Sequence, residues 1–173
     1  MEKILVVIDM QNDFVTGSLG SKEAVEIVPN VVNKIKNFTG EVIFTRDTHQ
    51  TDYMNTQEGR HLPVEHCIEN TKGWEIIPQL STFAMLSKII NKPTFGSIEL
   101  AEYIYKKYED NKDLEVELIG LCTDICVVSN ALILKATMPE LKITLDSSCC
   151  AGVTVQKHEA ALETMKSCQI DVY

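Results

Sequence analysis

Two cysteines stand four residues apart in the stretch GLCTDICVVSNA, Cys122 and Cys126, with a threonine and an aspartate between them. Thiols at that spacing serve as metal ligands, as a redox pair, as core filling, or as one nucleophile with a neighbour. A structural zinc site needs a second cysteine or histidine pair at the right spacing, and none accompanies them. The segment before them, LEVELIGL, reads as a strand, and the segment after them as a helix. Cys126 then falls in the first helical turn, where unpaired backbone N–H groups and the positive dipole end favour a thiolate and lower a cysteine pKa. Cys122, on the strand side, gets no such help. Position alone does not separate a nucleophile from core filling. A second constellation is Asp47-x-His49, with His66 seventeen residues further on. A strand-end aspartate, a histidine two residues later and a histidine from a long loop complete a facial O,N,N set for Zn²⁺, Mn²⁺ or Fe²⁺, with Glu58 or His61 as a further ligand. Taken bare, that pattern also arises by chance.

The elements that must position these residues alternate in type. The runs 3–9 (KILVVID) and 41–47 (EVIFTRD) are apolar and β-branched, each ends in an aspartate, and they bracket a helical stretch over 29–38 with Val31, Val32 and Ile35 as its apolar side. Strands over 114–121, 142–146 and 169–173 each follow a helical stretch; the first of these helices spans 98–108, and the last carries Val155, Leu162 and Met165 on one face. A short strand is expected over 88–91. In the helix after Cys122, Thr123 or Asp124 is the expected cap, and Ile125, Val128, Leu132 and Ala136 the expected inward stripe. Strands alternating with helices imply a mainly parallel open sheet in a three-layer α/β/α arrangement, because parallel strands need crossover connections. In such sheets ligands sit beyond the carboxyl ends of the strands, so Asp9, Asp47 and the 122–126 segment should meet. Segment 48–82 is long, polar and weakly periodic, which in a compact domain points to function.

Bulk properties exclude other classes. With 173 residues, 45% apolar and 24% charged, the chain reads as one soluble domain over 1–173. No apolar run approaches the roughly 18 to 20 residues that span a bilayer, and the start MEKILVVIDMQNDF has no signal-peptide pattern, so a cytoplasmic protein without membrane attachment is expected. The six cysteines then stay reduced, most of them as small buried hydrophobes. A formal charge of −9 without a basic cluster repels nucleic acid and suits a small neutral substrate.

Five motifs, VVIDMQNDF, TRDTH, LPVEHC, NKPTFGS and GLCTDICV, occur in this order along essentially the whole chain. In order and approximate spacing the chain resembles cysteine hydrolases of the isochorismatase-like superfamily, which includes the nicotinamidases. That resemblance implies an Asp9–Lys92–Cys126 triad in which Asp9 is the general base, Lys92 the cation and Cys126 the nucleophile. It also implies a cis peptide bond between Leu121 and Cys122, with the N–H groups of Cys122 and Cys126 forming an oxyanion hole. It assigns Asp47, His49 and His66 to a divalent metal, zinc first, that holds the substrate's ring nitrogen and leaves bond breaking to the triad. Phe14 and Phe95 would sandwich a flat ring; the nicotinamidase aromatic three residues before the metal histidine is Pro63 here. Trp74 is expected to be a buried anchor. The implied reaction is hydrolysis of a small carboxamide to acid and ammonia by a homo-oligomer. Isochorismatase-type hydrolysis, N-carbamoyl hydrolysis and a non-catalytic binding role are the alternatives.

Overall fold

The computed structural model describes residues 2–109, 111 and 113–173. Strand β1 (Glu2–Ile8) leads into two short helices, α1 (Asn12–Val15) and α2 (Lys22–Glu26), and then α3 (Val28–Asn37). Next come β2 (Glu41–Asp47), α4 (Gln57–His61), α5 (Ser81–Met85), β3 (Lys88–Lys92) and α6 (Ile98–Tyr108). The chain continues through β4 (Leu114–Leu121), a π-turn (Thr123–Val127), α7 (Val128–Thr137), β5 (Lys142–Ala151), α8 (Val155–Ser167) and β6 (Asp171–Val172). The pairings between these strands are parallel, in the order β3-β2-β1-β4-β5-β6, so strand order reverses between β1 and β4. At that switch point the loops leaving the two strands part in opposite directions and open a crevice.

The two-residue period of β1 divides the interior. Ile4, Val6 and Ile8 pack with residues of α6, α7 and α8, while Leu5 and Val7 pack with Val31 and Ile35 of α3 and with Leu80. All five β1 side chains are at 0% exposure, as a parallel strand covered on both faces requires. Full burial of each is worth about 1.5–3 kcal/mol. Side-chain caps fix four of the helix starts: Ser21 Oγ accepts from Ala24 N–H, Thr56 Oγ1 from Gly59 N–H, Ser97 Oγ from Leu100 N–H and Thr154 Oγ1 from Lys157 N–H.

Several elements differ from expectation. β1 ends at Ile8, and Asp9 turns out of the strand with φ +49°. β5 continues to Ala151, pairing with β4 again at Gly120 and Leu121 after a register shift, and β6 is confined to Asp171–Val172. Along α8, Leu162 and Met165 are buried but Val155 is 61% exposed, since it opens the helix past the layer the other two cover. The inward face of α7 is Ala131 and Leu134 with Asn130, following Cys126 and Val127; Ile125, Val128 and Leu132 only flank it, and Ala136 is exposed. The π-turn explains this, because it admits one extra residue and rotates everything after it. Neither Thr123 nor Asp124 caps that helix; Cys122 holds the cap position without a side-chain hydrogen bond. Among the described residues, no helix is long and apolar enough to cross a membrane.

Candidate active site

Four strand ends converge on one crevice. β1 delivers Asp9, β2 delivers Asp47, β3 delivers Lys92, and β4 feeds the π-turn that carries Cys126. Lys92 is at the centre and only 1% exposed: its Nζ lies 2.5 Å from Asp9 Oδ2, 3.3 Å from Cys126 Sγ and 3.4 Å from Asp47 Oδ1, and it donates to Thr94 O at 3.1 Å. Asp9 is held on its other oxygen by Thr45, whose hydroxyl donates to Oδ1 at 2.6 Å. Oδ2 meets the ammonium as a charge contact but has no aligned hydrogen-bond donor, which leaves it free to take a proton.

Burial decides the resting protonation. It raises the Asp9 carboxyl, and the Asp47 charge pushes the same way against Lys92. Burial also raises the Cys126 thiol well above its ordinary value, reinforced by the charge on Asp9 and opposed by Lys92. The expected lowering by the helix start is overridden, because a dry site with two carboxylates and one ammonium disfavours a further anion. Lys92 stays charged: burial pulls its pKa down, but Asp9, Cys126 and Asp47 raise it further. Burial thus favours the neutral thiol of Cys126 beside the Asp9 carboxyl.

A second cluster adjoins the first through Asp47. One ligand atom from each of Asp47, His49, Glu58 and His66 lies within 4.8 Å of all the others. His49 Nε2 is 2.9 Å from Asp47 Oδ2, and His66 Nε2 is 3.5 Å from the same oxygen and 3.6 Å from Glu58 Oε1. His66 Nδ1 donates to the carbonyl of Val64 at 2.8 Å, which turns Nε2 toward the carboxylates. Burial lowers the pKa of His66, yet hydrogen bonds to Asp47 and Glu58 raise it to about 10. Asp47 is held well below the usual carboxylate range: burial opposes this, but bonds to His49 and His66 and the charge of Lys92 outweigh it. Such a pocket demands positive charge, and its O₂N₂ donor set fits a divalent ion. Glu58 is thus the additional member, and His61 is exposed outside the set.

Above both clusters lies a cavity of about 410 Å³, lined by Phe14, Phe95, Leu62, Ile125 and Val153, with Asp47, Glu58, His66 and Cys126 also reaching it. Phe14 is 8% exposed with its ring 5.6 Å from that of His66; Phe95 is 43% exposed. The peptide bond between Leu121 and Cys122 is cis, and both residues line the cavity. Trp74 is half-buried rather than a buried anchor, stacked against Arg46 at 3.6 Å and away from the cavity.

Three polar residues of the site were missing from the sequence reading. Thr45 orients Asp9, as above. Gln11 is fully buried and ties β1 to β2, accepting from Asp47 N–H and donating to Asp47 O, each at 2.8 Å. Asn130 donates to Cys126 O at 2.8 Å and to Phe95 O at 3.2 Å, and it accepts from Ser97 N–H. Only Asn130 had a signal, a polar residue one helical turn beyond the cysteine on its buried side.

A parallel sheet whose strand ends bring a cysteine, a lysine and an aspartate beside a metal-fitting carboxylate–histidine set is an arrangement that suits a hydrolase of the α/β class. Residues 3–173 match the Isochorismatase domain family, and the chain belongs to that family. The nicotinamidase of Schizosaccharomyces pombe is 26% identical, over 97% of this chain and 91% of its own. The crystal structure of nicotinamidase/pyrazinamidase from Bacillus subtilis superposes with a TM-score of 0.85 at 27% identity, covering 99% of both chains. A pyrazinamidase from Pyrococcus horikoshii in complex with zinc superposes with a TM-score of 0.80 at 27% identity, covering 100% of this chain and 99% of its own.

Proposed function

We propose that this protein hydrolyses a small aromatic carboxamide, nicotinamide or a close analogue such as pyrazinamide, to the acid and ammonia through a thioester on Cys126. The observation that carries the reading is Lys92, whose one buried ammonium contacts both Asp9 and Cys126 and so joins base and nucleophile. Asp9 takes the thiol proton as Cys126 Sγ attacks the carboxamide carbon, and Lys92 offsets the negative charge as it passes from carboxylate to sulfur. The N–H groups of Cys122 and Cys126 receive the oxyanion, at about 3–4 kcal/mol for a well-placed donor. Asp9 returns the proton to the leaving nitrogen, the C–N bond breaks and ammonia departs. A water then gives a proton to Asp9 and attacks the thioester; the C–S bond breaks, the acid leaves and Asp9 reprotonates the sulfur.

Asp47, His49, Glu58 and His66 would hold a divalent ion, which supplies a Lewis-acidic anchor for a ring nitrogen of the substrate. Zinc is the ion named with the Pyrococcus horikoshii structure, and Mn²⁺ or Fe²⁺ suits the same donors. Phe14 and Phe95 flank the space for the ring. The cavity exceeds the needs of a single six-membered ring, so the test is ammonia release across a panel: nicotinamide, pyrazinamide, larger ring amides and N-carbamoyl compounds. The reading expects turnover of pyridine or pyrazine carboxamides. Turnover confined to N-carbamoyl compounds, or retained by Cys126→Ala, overturns it.

A further inference from the structure

Two histidines stand outside both clusters: His61 is exposed on α4, but the other lies against the segment that carries Cys126. His158, in the first turn of α8, is half-buried, and its Nδ1 is 2.8 Å from Thr123 Oγ1. Thr123 is at 0% exposure and opens the π-turn that presents Cys126 three residues later. A hydroxyl buried so completely needs a partner, and either imidazole tautomer supplies one.

The turn itself explains why the partner matters. Cys122 O accepts from both Ile125 N–H and Val127 N–H at 3.1 Å, and Val128 N–H reaches both Ile125 O and Thr123 O. Such wide turns occur mostly as single insertions in α-helices, so contacts outside the turn must hold it open. Were it to close to an α-turn, one residue would leave the ring and the side chains would rotate by about 100° relative to the rest of the helix. Cys126 would then turn away from Lys92. The start of α8 and the residues just before it supply the outside contacts. His158 holds Thr123, Val153 N–H donates to Asp124 Oδ1 at 2.9 Å, and a Cβ on Gly152 would lie 2.8 Å from both Asp124 Oδ1 and His158 N. The approach is too tight for any side chain there.

We infer that His158 is a positioning residue for the nucleophile: through Thr123 it keeps the π-turn open and Cys126 Sγ aimed at Lys92 and the substrate carbon. The inference rests on the assignment of Cys126 as nucleophile proposed above. It is tested in the metal-loaded enzyme with His158→Ala, His158→Asn, Thr123→Val and the Ala–Val double variant, with Cys126→Ala as control. Steady-state kinetics, metal content and the alkylation rate of Cys126 by iodoacetamide are the readouts. The expected result for His158→Ala is kcat down about tenfold to a hundredfold with KM within about threefold, since a displacement near 1 Å costs about that much. Metal content should hold, and Cys126 alkylation should change. His158→Asn should recover most of the rate, because its amide reaches the place of Nδ1. The losses of His158→Ala and Thr123→Val should not multiply in the double variant, since both break one contact. If His158→Ala does not fold, Thr123→Val, which keeps the side-chain shape, carries the same kinetic expectation. A kcat within twofold of wild type, a loss wholly in KM, or losses that multiply overturns the inference while leaving the cysteine mechanism intact. Activity in Cys126→Ala instead removes the mechanism on which it rests.

Discussion

The two halves of the site are built differently. Asp9, Lys92 and Cys126 leave the ends of sheet strands or the turn directly after one, and each is buried to 4% exposure or less. Of the metal-fitting set, Asp47 ends a strand and His49 follows closely, but Glu58 and His66 come from the long segment between β2 and β3. These three residues are held by the same ladders that make the sheet, and the second set depends on a segment that must be drawn in. In the proposed function, chemistry on rigid elements and substrate orientation on a loop would be a division that lets one vary without the other. Asp47 belongs to both, through its 3.4 Å contact with Lys92 and its contacts with both histidines.

The sharpest way to break this comparison is at the sulfur. Cys126→Ala should lower turnover by at least about 10³-fold, as loss of a covalent nucleophile does, while Cys122→Ala keeps most activity because its backbone N–H survives the substitution. Equal losses in two well-folded variants would show that the sulfurs are not distinguished as proposed. Lys92→Met comes next. Removing the one ammonium leaves Asp9 and Asp47 facing each other in a dry site, so both the rate and the alkylation of Cys126 at neutral pH should fall, the rate by about 10²-fold. Unchanged alkylation would detach Lys92 from the nucleophile.

These expectations draw on features with unequal traces in the sequence. The positions of Asp9, Asp47 and the 122–126 segment were legible because strand-forming runs such as ILVVI mark buried parallel strands, and a strand end is where such a sheet places ligands; Lys92 was marked only by the family resemblance of NKPTFGS, because the strand before it is short and weakly patterned. The π-turn was not legible: CTDICV carries nothing that distinguishes i→i+5 from i→i+4 bonding, and assuming a 3.6 period displaced the inward stripe to Ile125, Val128, Leu132 and Ala136. Thr45 reads as one more β-branched strand residue, and its bond to Asp9 appears only when β1 and β2 lie side by side. The direction of the Cys126 pKa was misjudged for a similar reason. The helix start is visible in sequence, but desolvation by four converging strands is not.

Metal removal probes the other half. A chelator should weaken substrate binding and turnover, by about ten- to a hundredfold in kcat/KM, while Cys126 still reacts with a small alkylating agent. His66→Ala should act alike, since alanine offers no lone pair in place of Nε2. The loop should also become easier to cleave by protease, because the ion no longer ties Glu58 and His66 to Asp47. Full activity in excess chelator, with no metal found in the purified protein, would reduce the cluster to a structural ion-pair network.

The smallest expected effect completes the contrast. His61 shares the loop with Glu58 and His66 and ends α4, but it is exposed and lies outside the four-residue set. Its imidazole is three residues from Glu58, close to one turn of α4, and α4 turns only Glu58 toward His49 and His66. His61→Ala should therefore leave metal content unchanged and kcat/KM within about twofold, the usual range for a surface substitution away from any site. Glu58→Gln, which keeps the size but removes a charge from the donor set, should lower metal affinity instead. If His61→Ala lost metal as His66→Ala does and Glu58→Gln did not, the fourth donor would be the histidine and α4 would have to rotate when the ion binds.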